Sequence, residues 1–145
     1  MPSDKYFMDL AFAIANASKC VRAKYGTVIV SHDGRIVSTG YNGKPRGSTN
    51  DHLCYRNNLP ANSPKPKCCL HSEANALLFA GAERTQGATL YVSGVPCTDC
   101  ALLIQQAGIS RLVYYSGENA FGHRGNFDTE FYRAYGMTFE VVPYD

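Results

Sequence analysis

Two apolar periods alternate along this chain, and they lay out its elements. After Ser3, a good N-cap residue, Phe7, Leu10, Ile14, Ala17 and Val21 recur at helical spacing and predict an opening helix. "TVIVSHDGRIVSTGYNG", Thr27 to Gly43, holds two β-branched runs around Asp33-Gly34 and predicts a β-hairpin. A helix is expected from Ser72 to Ala80, closed by Gly81. "ATLYVSG" then reads as a buried strand and "PCTDCALLIQQAG" as a second short helix ending at Gly108. "RLVYYS" is another strand, and "NFDTEFYRAYG" and "MTFEVV" supply a last helix and a last strand. Strands alternating with helices in the second half imply a sheet with parallel neighbours and helices on its faces. No repeat, low-complexity stretch or linker interrupts the pattern, so residues 1–145 read as one domain.

One segment breaks the rhythm. From Gly43 to Leu70 no periodicity is visible, and Pro45, Pro60, Pro64 and Pro66 punctuate it. Loops of that length inside a compact domain are usually functional or disordered. This one carries His52, Cys54, Cys68 and Cys69, which suggests that something ties it down.

Composition narrows the function classes. With 145 residues, 45% of them apolar and 18% charged, the chain is large enough for a real core and resembles an ordinary globular protein. A net charge of +2 is too small to bind long nucleic acids by bulk electrostatics. No apolar run reaches the length of a membrane span, and Asp4, Lys5 and Asp9 spoil a signal-peptide pattern, so the expectation is a cytoplasmic protein without a membrane partner. Six cysteines in that setting are more naturally thiols or metal ligands than disulfides.

The chemistry starts at "HSEANALLFAG". His71 and Glu73 open a helix that is otherwise apolar, and both are poor core residues unless paired or ligated. Alone, the pair could be an exposed first turn with an acid near the positive helix end. Downstream, "PCTDC" sets Cys97 and Cys100 three apart at the start of the second helix, where i and i+3 share a face and thiolates are favoured. A lone C-x-x-C can also be a redox pair or half a zinc ribbon. The thioredoxin-like context and the second C-x-x-C that those readings need are both missing. What remains is a zinc site with His71, Cys97 and Cys100 as ligands and an open fourth position, the mark of a catalytic metal. Glu73, two residues from a ligand, is then placed to handle the protons of the attacking water.

H-x-E followed by P-C-x-x-C is an established signature of zinc-dependent nucleobase deaminases. From Cys20 to the end of "FEVV" the chain resembles the cytidine deaminase superfamily, and within it the deoxycytidylate (dCMP) deaminase branch, phage members included. The hairpin, "GYNGKPRG", "HSEANAL" and "GVPCTDCALLIQQAGI" carry the likeness. H-S-E stands where the family has H-A-E. The resemblance implies a three-layer α/β/α fold, a five-stranded mixed sheet with helices on both faces. It implies hydrolytic deamination of dCMP to dUMP and ammonia, feeding thymidylate synthesis, with Glu73 as the catalytic proton carrier. It also implies that Asn42 and the main-chain N–H of Ser72 hold the substrate. Lys24, leading into the first strand, is the first choice among nearby cations for the phosphate; Arg22, Lys44 and Arg46 are the others.

Further expectations follow from the likeness alone. Activation by dCTP and inhibition by dTTP would act through a loop formed by Tyr41, Asn42, Gly43, Lys44 and Arg46, with Mg²⁺ accompanying the effector, in a homo-oligomer, a hexamer by family habit. Some phage members hold a second zinc, for which Cys20, His52, Cys54 and Cys69 stand in matching regions, with Cys68 as a substitute. Ten tyrosines, several of them crowded with phenylalanines such as Phe121 in the C-terminal third, offer material for an interface. Two rival readings stay open: a deaminase for dCTP, free (deoxy)cytidine or a tRNA base, and a non-catalytic module stapled by zinc. The second leaves Glu73 and the missing fourth ligand without a purpose.

Overall fold

A computed structural model describes residues 2–48, 54–64, 67–118 and 127–145; His52 and Phe121 lie outside the described residues. The hairpin forms as the sequence predicts. Strand β1 (Gly26–Val30) pairs antiparallel with β2 (Ile36–Tyr41), and Gly34 turns between them at φ 85°. Strands β3 (Thr89–Val92), β4 (Arg111–Tyr115) and β5 (Glu140–Tyr144) extend the sheet in the order β2-β1-β3-β4-β5. β3 runs antiparallel to β1, and β3, β4 and β5 are mutually parallel. The result is the expected five-stranded mixed sheet.

Side chains alternate across that sheet with the period of two, and each face buries against its own helices. On one face Val28, Val30, Tyr91 and Val113 meet Phe7, Met8 and Ala11 of α1 (Asp4–Ala15). On the other, Ile29, Leu90, Val92, Leu112 and Tyr114 pack with Ala76 and Ala80 of α2 (Ser72–Ala80) and with Ala101 and Ile104 of α4 (Thr98–Gln106). Tyr132 of α5 (Thr129–Ala134) joins that second cluster. The helices thus cover both faces. A short helix α3 (Ala82–Thr85), which the periodicity did not predict, follows Gly81 at once.

The opening helix is shorter than its apolar repeat predicts. It ends at Ala15; Ala17 is exposed and Val21 is 61% exposed. Tighter bonds, Ala17 N–H to the Ile14 carbonyl and Ser18 N–H to that of Ala15, close the last turn. The Ser18 hydroxyl then donates to the Asn42 carbonyl, 2.8 Å away, and draws the chain off the helix axis toward the end of β2. The long loop is closed at its base by a two-bond bridge between Gly43 and Leu70. That bridge delivers the chain to α2 beside the end of β2. Among the described residues no helix is long and apolar enough to cross a membrane.

Candidate metal centre and active site

Because β1 opposes β3, the start of β1, the end of β2 and the end of β3 lie at one edge of the sheet. Beyond the ends of parallel strands is where sheets of this kind bind ligands. α2 and α4 both begin there. His71 is the N-cap of α2 and Cys97 the N-cap of α4, so the positive ends of two helices face one point. The cysteines converge by capping and not by sharing a helix face: the Cys97 sulfur accepts the Cys100 N–H at 3.4 Å. His71 Nδ1 lies 3.3 Å from Cys97 Sγ and 3.4 Å from Cys100 Sγ.

This donor set fits zinc. Bonds of about 2.0 Å to nitrogen and 2.3 Å to sulfur at tetrahedral angles place the donors roughly 3.5 Å apart, close to what is found here. Among the described residues it is the only group of three or more His, Cys, Asp or Glu whose donor atoms converge. The metal-free electrostatics are already polarised. Hydrogen bonding from Cys100, and from His71 and the backbone, holds the Cys97 thiol down at about 3. The same pairing with Cys97, together with burial, pushes Cys100 far up, and His71 is raised chiefly by its bond to Cys97.

Glu73 is buried, 5% exposed, and burial raises its pKa. A carboxyl group in that state can hold and release a proton. Ser72, fully buried, donates its hydroxyl to Glu73 Oε1 at 2.9 Å, and the Thr27 and Ser72 hydroxyl oxygens lie 2.8 Å apart.

Asn42 is buried, and both ends of its amide hold the chain before β1: Oδ1 accepts from Tyr25 N–H at 2.8 Å and Nδ2 donates to the Ala23 carbonyl at 2.9 Å. It thereby shapes the wall of a cavity of about 260 Å³ beside His71, which Arg22, Tyr25, Arg56 and Lys67 also line. Lys24 is exposed and is not among the lining residues. Two residues that sequence reasoning did not single out belong here. Tyr25, half-buried, has its hydroxyl pushed up to about 12 by burial and by the charge of Glu73. The buried Nε of Arg56 has no hydrogen-bond partner among the described residues. Tyr25 carried a faint signal, an aromatic just before a buried strand. Arg56 sits in the unpatterned loop, where nothing local marks it.

Cys20, Cys54, Cys68 and Cys69 line this cavity and an adjoining one of about 180 Å³. They share a space without forming a convergent donor group among the described residues. Burial and the neighbouring Cys68 thiol, 3.9 Å away, push Cys69 up to about 11. On the far side of the 43–46 segment a wider cavity of about 510 Å³ is lined by Tyr41, Lys44, Arg46, Asn75 and Phe79. There the Arg46 guanidinium lies over the Phe79 ring, 5.7 Å from its centroid.

Comparison with known proteins agrees with this geometry. Residues 1–116 match the family model of the cytidine and deoxycytidylate deaminase zinc-binding region. The deoxycytidylate deaminase of Schizosaccharomyces pombe is 40% identical over 83% of this chain, which spans 39% of that protein. That of Mycobacterium phage D29 is 43% identical, covering 77% of this chain and 92% of the phage protein. The chain thus spans well under half of the yeast relative and nearly all of the phage one. The crystal structure of the dCMP deaminase of cyanophage S-TIM5 in apo form superposes with a TM-score of 0.71 at 26% identity, covering 99% of this chain and 100% of that one.

Proposed function

Since the chain belongs to the cytidine and deoxycytidylate deaminase family, we propose that it hydrolyses the exocyclic amine of dCMP, giving dUMP for thymidylate synthesis and ammonia. The observation that carries this reading is the meeting of His71, Cys97 and Cys100 at two helix N-termini with buried Glu73 beside them. Bound by those three residues, a zinc ion supplies the Lewis acidity that makes water a nucleophile near neutral pH. The rest falls to the chain. Glu73 takes a proton from the attacking water, delivers it to the ring nitrogen next to the reacting carbon, and then carries a second one to the departing amine. Ser72, the first residue of α2, offers its main-chain N–H to the pyrimidine carbonyl. The sheet and helices around Glu73 keep bulk water away from the carboxyl group.

The phosphate is assigned to the cavity beside His71. Lys67 there is already paired with Asp99, while Arg22 and Arg56 face the same space. A buried guanidinium N–H without a partner among the described residues favours an anion as its complement, and arginine grips phosphate bidentately. These two arginines are better placed than Lys24. Asn42 acts here by holding the 23–25 segment that shapes the cavity. In the same proposal dCTP and dTTP, with Mg²⁺, occupy the cavity at Lys44 and Arg46. Exposed Leu78, Phe79, Leu102 and Leu103 on α2 and α4 supply apolar surface for a hexameric, cytoplasmic enzyme. The second zinc reading draws on Cys20, Cys54, Cys68 and Cys69 lining one space, with His52 as a further ligand.

The test is ammonia release by zinc-loaded protein given dCMP, dCTP, deoxycytidine or a tRNA stem-loop, with and without dCTP as effector. Turnover of dCMP, abolished by Glu73→Ala, is the expected result. Turnover of another substrate alone would keep the chemistry and refute the phosphate assignment. Zinc bound with no turnover of any would refute the catalytic reading in favour of a structural module.

A further inference from the structure

We infer that Thr27 and Ser72 form a two-hydroxyl relay that fixes the orientation of the Glu73 carboxyl group, so that both are positioning residues for the proton transfers. The inference rests on the deaminase reading of the site. It starts from a matter of proton count. Ser72 has one hydroxyl hydrogen, and the geometry directs it to Glu73 Oε1 at 2.9 Å. The contact of 2.8 Å between the Ser72 and Thr27 oxygens must then be filled by the Thr27 hydrogen. With Glu73 ionised, the order is Thr27 to Ser72 to Glu73, each hydroxyl donating toward the carboxylate.

Burial makes the relay stiff. Thr27 and Ser72 are both fully buried, and Glu73 nearly so, so no solvent competes for these donors. Thr27 sits on β1, held by ladder partners on both sides, Gly40 on β2 and Val92 on β3. Ser72 is locked by the first turn of α2, next to His71. The relay thus anchors one carboxyl oxygen to the sheet. The carboxyl group also takes a hydrogen bond from its own main-chain N–H and meets the Cys100 thiol. A glutamate held in this way loses the rotations that would carry its carboxyl group out of line with the reacting atoms, and alignment of that kind is worth much in a proton transfer. The main-chain N–H of Ser72 keeps its separate role toward the substrate, so the side chain and backbone of one residue serve two partners.

The test uses the full chain, zinc-loaded, and compares Ser72→Ala, Thr27→Val, the double variant and Thr27→Ser. Ser72→Ala is expected to lower kcat for dCMP roughly ten-fold with KM within about two-fold. Thr27→Val, nearly isosteric, should lower kcat by about three- to five-fold, and Thr27→Ser should restore it. The double variant should be no slower than Ser72→Ala, because a relay broken at its second link gains nothing from the first. Zinc content and the thermal midpoint report whether each variant is folded. A Ser72→Ala enzyme with kcat within two-fold of the parent overturns the inference. So does Thr27→Val costing as much in the Ser72→Ala background as alone. A second readout needs no turnover: the infrared band of the Glu73 carboxyl group, identified by its loss in Glu73→Gln, should shift in Ser72→Ala, and an unshifted band overturns the relay. Should the parent protein turn over no cytosine substrate, the deaminase reading falls and the relay is decided by that band alone.

Discussion

Two glycines lie under two helices on opposite faces of the sheet, and together they separate stability from the positioning of the site. A Cβ on Gly40 would stand 2.4 Å from the Ser72 carbonyl oxygen and 2.5 Å from the Ala76 nitrogen, both backbone atoms of α2. A Cβ on Gly26 would stand 1.9 Å from the Ala11 carbonyl oxygen and 2.6 Å from the Ala15 nitrogen, in α1. Neither helix can relieve the clash by turning a side chain. Overpacking of this sort costs about 1–3 kcal/mol and sometimes more, and backbone contacts this short point to the upper end for both. At about 2–4 °C per kcal/mol for a chain of this size, each Gly→Ala variant should lose roughly 6–12 °C in Tm. The functional outcomes should diverge. To regain ordinary contact over Gly40→Ala, α2 must back away by about 1 Å, taking Ser72 and Glu73 with it. A misplacement of that size costs on the order of 10²-fold in kcat/KM. Gly26→Ala moves α1, which supplies nothing to the site, so its folded fraction should keep kcat/KM within about three-fold, on the same proximity argument. The assay is thermal unfolding of zinc-loaded and chelator-stripped protein beside dCMP kinetics well below the Tm. Equal kinetic losses in the two variants, or a Gly40→Ala midpoint within a degree of the parent, would refute the reasoning.

Other consequences are as specific. Glu73→Gln should keep its zinc, measured by metal analysis, while kcat falls by about 10²–10⁴-fold; loss of the metal as well would mean that the residue is structural. Asp4 accepts two bonds from Arg111, at 2.8 and 2.7 Å, and one from the Tyr91 hydroxyl at 2.6 Å, tying α1 to β3 and β4. With that ion pair about one-third exposed, solvent screening reduces the expected cost of Asp4→Asn to about 1–2 kcal/mol in urea unfolding at pH 7. The bond to Arg111 holds the Asp4 pKa below its ordinary value against the opposing effect of burial. Its contribution is therefore complete above about pH 4 and is lost as pH falls through the lowered value. A gap between parent and variant that widened on acidification would have the wrong sign. Metal analysis of fully loaded protein should find two zinc ions per chain under the second-metal proposal; one ion, with Cys20, Cys54, Cys68 and Cys69 all freely alkylated in the folded state, removes it.

Much of the candidate site is legible along the chain because its residues are local to element starts. His71, Ser72 and Glu73 lie within one helical turn, and Cys97 and Cys100 within another, so short spacing fixes which atoms are neighbours. The error in α1 had the opposite origin. Ala17 and Val21 continued an apolar repeat, yet the Ser18 hydroxyl found a distant partner in Asn42, and one tertiary bond outweighed a weak local preference. Lys24 adjoins β1 in sequence, whereas the cavity beside His71 is lined by Arg22 and, from the unpatterned loop, Arg56.

By itself the sequence determined the alternation of strands and helices, the hairpin at Gly34 and the ligand types, since these depend on periodicity, turn chemistry and residue identity over a few positions. Only the tertiary structure decided that the start of β1, the end of β2 and the end of β3 share one edge. It alone brought Thr27 to Ser72 and set Arg56 around one cavity with His71, because such placements depend on strand order and packing, which no local pattern encodes.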